Sequence, residues 1–405
     1  MPLISLVRFL TTLLSLAILA TAAYLLWRWY DGTDVRDAEG VVHNVREGWP
    51  LWLGLALVAF SFLGKFLMLP LLARPDREPL PVDHGAGKQV QGPSGATLYV
   101  DSAGPADGPP VILTHGWSLD STVWGYARRS LGQRFRLILW DLPGLGRSQP
   151  TPGNAIDLER FAADLRTVLA EAGGRPAVLV GHSIGGMTIQ TLARNHPELF
   201  GREVIGVVLV NTTYTNPLRT MILPRLMQAL RRPLIEPLMY LTILLHPLAW
   251  LSNWQSYLSG TSHLANRIAF GPHVTRAQLD HVTLLATRNP PAQVSRGNLA
   301  MFRWDATGAL ANVGVPVLVL AGSKDIVTKP EASRDIAATS PRARLQVIDD
   351  ANHMGFFERA DVYNQAIAEF VESVQPNPTQ QALDGQQAAD GRVADPAVTR
   401  IIPSA

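Results

Sequence analysis

Two long apolar stretches open the chain before any alternation of hydrophobic and polar positions begins. Residues 9–27 carry no charge and are mostly aliphatic, and about 20 such residues suffice to cross a bilayer core as a helix. Arg8 precedes this stretch, and Trp27, Trp29 and Tyr30 close it with the amphipathic rings of an interfacial belt. A second apolar stretch, 49–72, is broken only by Lys65, near enough to one end to snorkel. Between them residues 31–48 are polar and rather acidic. The pattern predicts a transmembrane hairpin: a first helix in 1–30, a polar loop over 31–48 and a second helix in 49–73, making this a multi-pass membrane protein. Ala20-Thr21-Ala22 also fits the small-x-small cleavage site of a signal peptide, so a removable first segment is the alternative. Arg8, Arg74, Arg77 and Lys88 outside the loop, against Arg28, Arg36 and Arg46 within it, lean the C-terminal domain towards the cytoplasm.

Residues 74–87, with Pro75, Pro79 and Pro81, read as a stiff linker. From 88 to 374 the pattern is that of an α/β domain. Short β-branched and aliphatic runs at 97–100, 111–114, 137–140, 177–180, 204–210, 317–321 and 345–348 read as strands. Residues 158–172 carry Phe161, Leu165, Val168 and Leu169 at helical spacing. Strands alternating with helices imply a mostly parallel sheet with helices on both faces. The alternation stops over about 212–305, which reads as a helical cap inserted after the 204–210 strand. Its segment 221–251 is rich in Leu, Met and Pro with four interleaved arginines nearby. Such a lid either packs its apolar residues on the body or also touches membrane or acyl chains. Pro224, Pro233, Pro237 and Pro247 argue against a third span. The tail 375–405, rich in Pro, Gln, Asp and Ala, reads as disordered.

With 405 residues, 47% of them hydrophobic, the chain can build a large core. A net charge of +2 gives no reason to expect a nucleic-acid partner. The absence of cysteine excludes disulfides, thiolate metal sites and a cysteine nucleophile. Nothing in the pattern fixes an oligomeric state.

The chemistry collects at strand ends, where open α/β sheets bind their ligands. Gly181-His182-Ser183-Ile184-Gly185 follows the 177–180 strand and precedes a helical stretch, the strand–turn–helix setting of a nucleophile elbow. A serine hydroxyl needs a base and a group to orient that base. Asp325 stands just beyond the 317–321 strand and His353 just beyond the last one, in the order serine, acid, histidine that this arrangement uses. Asp349 and Asp350 are too near His353 in sequence to come from a separate strand end. A tetrahedral intermediate needs two N–H donors. The backbone of Ile184 is the first candidate, and that of Trp117, in the loop after the 111–114 strand, is the second. His182 and His115 read as structural residues. Asp141 and the glycines of 143–148 read as a turn that supports the site.

Together, His115-Gly-Trp117, the Asp141–Ser148 run DLPGLGRS, GHSIGG from Gly181, GSKD ending at Asp325 and NHMGFFE from Asn352 resemble the α/β-hydrolase superfamily over 88–374. The resemblance implies the α/β-hydrolase fold with a helical cap and a Ser183, Asp325, His353 triad needing no cofactor and no metal. Serine rather than aspartate at 183 separates the chain from the epoxide hydrolases and haloalkane dehalogenases, while the His-Gly-Trp sequence is similar to that of cofactor-free haloperoxidases. With the hairpin and the apolar cap, the expectation is a membrane-anchored serine esterase or lipase, its partners a hydrophobic ester or lipid substrate and the bilayer. The alternatives are a perhydrolase, a carbon–carbon bond hydrolase of a ring-cleavage product, and a catalytically silent membrane scaffold.

Overall fold

The computed structural model describes residues 2–375; the tail expected to be disordered falls, but for Gln375, outside them. An eight-stranded sheet forms the body. Its strands are β3 (Lys88–Gln91), β4 (Thr97–Ala103), β5 (Pro110–Thr114), β6 (Arg136–Trp140), β7 (Ala177–His182), β8 (Val204–Val210), β9 (Val317–Gly322) and β10 (Ala343–Ile348). They lie in the order β10-β9-β8-β7-β5-β6-β4-β3. All neighbours run parallel except β3 with β4 and β4 with β6. The expected mostly parallel sheet is therefore present. β3 was not anticipated, because its Lys-Gln-Val-Gln sequence sits on an exposed edge with almost nothing to bury.

Alternation along the central strands fills two cores. Val111 and Leu113 of β5 with Val178 and Val180 of β7 face one side, packed with Trp124, Phe357 and Ile367. Ile112 and Leu179 face the other, with Phe161, Leu165 and Met187. Period-two exposure of the strand to both faces explains why these runs read as continuously apolar. Helices cover both faces: α4 (Gly125–Leu131) and α16 (Ala360–Val374) on the first, α5 (Leu158–Leu169) and α6 (Ile184–Asn195) on the second. The chain runs from β5 to β6 on one side and then returns to β7 on the other. The carboxyl ends of β5 and β7 thus flank the point where strand order reverses, which opens a crevice there.

Between β8 and β9 the chain builds α7 (Pro217–Thr220), α8 (Pro224–Leu230), α9 (Glu236–Leu244), α10 (His246–Leu258), α11 (Thr261–Arg267), α12 (Arg276–Arg288) and α13 (Pro291–Met301). Leu218, Met221, Met227, Met239 and Phe302 form a small core of their own in this layer. Helices α14 (Pro330–Thr339) and α15 (Gly355–Glu358) complete the body.

The N-terminal region departs from the two-span expectation. Helix α1 (Pro2–Asp31) is continuous and by length and composition can cross a membrane. After the exposed β1–β2 hairpin (Thr33–Arg36 and Val42–Val45), however, residues 49–73 do not form one span. They form α2 (Gly48–Leu63) and α3 (Lys65–Leu72), bent by 66° at Gly64. The cause is docking on the cap. A Cβ at Gly64 would stand 2.4 Å from the Ser259 carbonyl oxygen. Lys65 does not snorkel: its ammonium donates to Tyr257 Oη at 3.0 Å and lies 3.8 Å from Asp280. Leu69 and Leu72 of α3 then pack on the apolar cluster that the cap shares with the body. The multi-pass arrangement is thus reduced to one straight apolar helix and one broken pair. The 74–87 segment is held to the body, with Gly85 N–H donating to Asp101 at 2.8 Å and the Tyr99 hydroxyl donating to the Gly85 carbonyl at 2.9 Å.

Asp164, buried under the β3–β4 turn, accepts the Ser94 N–H at 3.2 Å through one oxygen while the other has no partner. Burial pushes its carboxyl up to about 6, against the opposing hydrogen bonds of Ser94. An unfolded aspartate titrates near 3.9, so the folded state holds this proton more tightly. Its favourable contribution is full below about pH 4 and is lost as pH rises through about 6. Asp164→Asn, which keeps the acceptor and cannot ionise, should gain on wild type by about 1–2 kcal/mol between pH 4 and 7. Thermal unfolding of both proteins across that range checks this; a constant difference in melting temperature refutes it.

Candidate active site

Ser183 occupies the single residue between β7 and α6, with φ 54° and ψ −116°. Residues with a Cβ rarely adopt this region and must be held there by their surroundings. The crowding is measurable. A Cβ on Gly181 would lie 2.5 Å from the Gly185 backbone, and one on Gly185 would lie 2.4 Å from the Thr114 carbonyl oxygen of β5. Both backbone groups of Ser183 are tied down. Its N–H donates to the Val210 carbonyl at 3.0 Å, and its carbonyl accepts from Thr212 Oγ1 at 2.6 Å and Met187 N–H at 3.1 Å. Ile184, the first residue of α6, puts its N–H at the positive end of that helix.

Asp325 and His353, 28 residues apart, meet beyond β9 and β10: His353 Nδ1 donates to Asp325 Oδ2 at 2.9 Å. That oxygen also accepts from Asn211 Nδ2 at 3.0 Å and Thr328 Oγ1 at 2.9 Å, while Oδ1 accepts the N–H groups of Val327 and Thr328, both at 2.8 Å. Burial alone would raise this carboxyl. The His353 ring, followed by the Thr328 and Asn211 donors, outweighs it and holds Asp325 below the usual carboxylate range. Asn352 Oδ1 accepts the His353 N–H at 2.8 Å and fixes the loop. With Nδ1 committed to Asp325, the ring presents Nε2, which is buried and has no hydrogen-bond partner, as the nitrogen able to take a proton. Asp350 instead pairs with Lys324 at 2.6 Å on the surface.

The other histidines near the site are structural in their contacts. His182 packs its ring 4.2 Å from Phe356 and its Nε2 lies 3.1 Å from the His353 carbonyl oxygen. Burial, then the neighbouring His353, pushes its pKa well below the ordinary value, so the ring is neutral. His115 joins two loops: Leu142 N–H donates to its Nε2 at 2.9 Å and its Nδ1–H donates to the Gly116 carbonyl at 2.8 Å. Asp141 receives Ser121 N–H at 2.7 Å and Arg147 N–H at 2.8 Å. The turn at 143–148 is thereby pinned beneath the crevice, with Gly144 and Gly146 at positive φ. Trp117 lies in the loop after β5. Its indole N–H donates to the Val294 carbonyl at 3.1 Å, tying body to cap, and its ring leaves no room for a side chain at Gly297.

A cavity of about 280 Å³ opens on this cluster. His353, His182 and Trp117 line it, together with Met239, Leu241, Leu245 and Leu248 of the cap. Its remaining wall is α1, through Ile4, Arg8, Phe9, Leu13 and Leu16. Sequence reasoning missed this wall, having assigned the helix to the bilayer. It also missed Asn211 and Thr328. Asn211, the first polar residue past β8, with φ 45°, carried a usable signal; Thr328 carried none.

A sequence profile of the alpha/beta hydrolase fold matches residues 109–360. The pimeloyl-[acyl-carrier protein] methyl ester esterase of Nitrosospira multiformis is 27% identical over 279 residues, 68% of this chain and 98% of its own length. Among solved structures, a thermophilic esterase from Thermogutta terrifontis is similar with a TM-score of 0.52 and 26% identity, over 72% of this chain and 100% of its own. A bromoperoxidase from Bacillus anthracis shares the fold with a TM-score of 0.57 at 18% identity, over 70% of this chain and 100% of its own.

The crowding at the elbow yields a test. Gly185→Ala must push the β5 backbone just before the His115–Trp117 loop, an overpacking that costs about 1–3 kcal/mol. Melting temperature and labelling of Ser183 by a fluorophosphonate should both fall; unchanged values in both would show that the contact with Thr114 relaxes freely.

Proposed function

The chain belongs to the α/β-hydrolase fold family, and on that premise we propose that it is a membrane-anchored serine hydrolase cleaving hydrophobic carboxylic esters. The observation that carries the reading is the buried Asp325–His353 pair, joined at 2.9 Å, whose His353 lines a mostly apolar cavity beside the Ser183 elbow. The similarity to a methyl ester esterase and to a thermophilic esterase favours an ester over other acyl substrates.

In this reading Ser183 Oγ adds to the ester carbonyl as its proton passes to His353 Nε2. The oxyanion is met by the N–H groups of Trp117 and Ile184. Collapse breaks the bond to the alcohol oxygen, which takes the proton from His353 and leaves, and Ser183 retains the acyl group. Water then adds with His353 as base, and the acid departs with Ser183 regenerated. Asp325 keeps Nδ1 protonated and stabilises the imidazolium in both halves. Its five hydrogen bonds make it a fixed orienter rather than a proton acceptor.

Anchoring is supported by how the surface is sorted. Large exposed hydrophobic residues crowd α1 to α3 and the stretch Ile222–Leu251, whereas none occurs between Ala73 and Met221 or between Ser252 and Gln346. A patch of this kind is the mark of a surface covered by something apolar.

The test is hydrolysis of p-nitrophenyl esters of increasing chain length by detergent-solubilised protein. kcat/KM should rise by up to about fourfold per methylene until the cavity is filled, since each buried methylene is worth about 0.8 kcal/mol. Ser183→Ala and His353→Ala should each lower kcat by roughly 10⁴-fold or more. Serine-independent turnover, or no rise with chain length, refutes the respective half of the reading.

A further inference from the structure

Helix α1 is more than a tether. Counting about 20 residues back from the Trp27–Tyr30 belt, the length that covers a hydrocarbon core, reaches the level of Arg8. Over residues 5–15, on both sides of that level, α1 lies against the cap: Arg8 donates to Thr287 Oγ1 at 3.4 Å, Ser15 and Ser259 share a hydrogen bond of 2.6 Å, and Asn298 donates to Ser5 Oγ at 3.0 Å. The cavity mouth is there too. Leu13 and Leu16 of α1 and Leu241, Leu245 and Leu248 of the cap line the cavity and are also exposed on the outer surface, Leu248 by 62%. A lining residue that is also exposed lies towards the opening of its cavity, and the most exposed of the lining residues are these leucines.

Among the polar groups that line the cavity, Arg8 carries a fixed charge. Arg8 and Ser5, three residues apart and so on one helix face, line it together with Asn298. Arg8 is half-buried, and among the described residues its guanidinium makes no ion pair. Thr287 satisfies one of its five N–H donors; the Thr287 hydroxyl proton goes to the Thr283 carbonyl. Asn298, 1% exposed, has its side-chain oxygen unpaired, and its amide can turn end for end so that Ser5 donates to the oxygen and the NH₂ faces the cavity. A guanidinium removed from water without a counter-ion is costly, and planar N–H donors match phosphate and carboxylate oxygens.

We propose that α1 forms part of the substrate site: an amphiphilic ester enters from the bilayer between α1 and helices α9 and α10, and Arg8, with Asn298, receives an anionic group that the ester carries. The inference rests on the ester-cleaving reading above. Its shared chemistry is an anion, phosphate or carboxylate, attached to an apolar chain that fills the Leu- and Met-lined length of the cavity.

The full chain in uncharged detergent is given two substrate pairs: 1-palmitoylglycerol 3-phosphate against 1-palmitoylglycerol, and the monomethyl ester of hexadecanedioic acid against methyl hexadecanoate. Within at least one pair the wild type should prefer the anionic member by kcat/KM. That ratio should fall roughly tenfold to a hundredfold in Arg8→Gln and be kept in part by Arg8→Lys. A fall in the first pair assigns a phosphate, a fall in the second a carboxylate. Turnover with both ratios unchanged in Arg8→Gln overturns this inference alone, including the case in which Arg8 only anchors the helix at the headgroups and membrane retention is what suffers. No Ser183-dependent turnover of any of the four esters overturns the ester-cleaving reading and this inference with it. Inhibition of p-nitrophenyl butyrate hydrolysis in the wild type gives a reading independent of any variant's folding. Hexadecyl phosphate should inhibit at lower concentration than hexadecanol, and equal inhibition overturns the proposal.

Discussion

One crossing of backbones governs this molecule. Between β7 and α6 the chain reverses through a single residue, Ser183, at φ 54°. The reversal is possible only because Gly181 and Gly185 let the new helix press to within contact of its own strand and of β5. The strain at Ser183 is offset by three backbone hydrogen bonds, one of them from Thr212 at the end of β8. The same contact that forbids a side chain at Gly185 sets the distance from Ser183 to the β5 loop that carries Trp117. The serine and the backbone donors proposed to act with it are therefore fixed by one packing constraint rather than by separate ones.

Around that crossing, the ends of β8, β9 and β10 are knitted by polar groups withdrawn from water. Asp325 is buried and stays below the ordinary carboxylate range because five donors converge on it. In a low dielectric such a network is costly if incomplete and rigid if complete. Asn211 serves it twice over, giving its N–H groups to Asp325 and to the Asn352 carbonyl while its oxygen accepts from Tyr363 at 3.0 Å. Neutral His182, wedged between Gly116, Phe356 and His353, fills the remaining space without adding a charge.

The apolar N-terminus and the cap obey a different economy. Helix α1 is hydrophobic nearly all round: α2 meets it at Ala22 and Leu26, Ile4 and Phe9 line the cavity beneath the cap, and Leu10, Leu14, Tyr24 and Trp27 are left exposed. The bend at Gly64 turns α3 out of the hairpin so that Lys65 can reach Tyr257 and Asp280. Helices α1 to α3, cap and cavity thus form one largely apolar layer seated over the crevice.

The sequence by itself determined the fold class, because a strand buried on both faces must be written as an unbroken aliphatic run, and Val111–Thr114 or Val204–Val210 can be read no other way in alternation with helices. It also singled out Ser183, Asp325 and His353, because each stands just past such a run. It could not show β3, whose Lys88–Gln91 partly buries Val90 alone, nor Asn211 and Thr328, whose part lies in contacts with Asp325, 114 residues ahead and 3 behind. Nor could it show that α1 lines the cavity or that 49–73 breaks at Gly64. Hydrophobicity records that a residue avoids water, and lipid and protein satisfy it equally. Which of the two lies against Phe9 or Leu69 was decided only when segments hundreds of residues apart packed together.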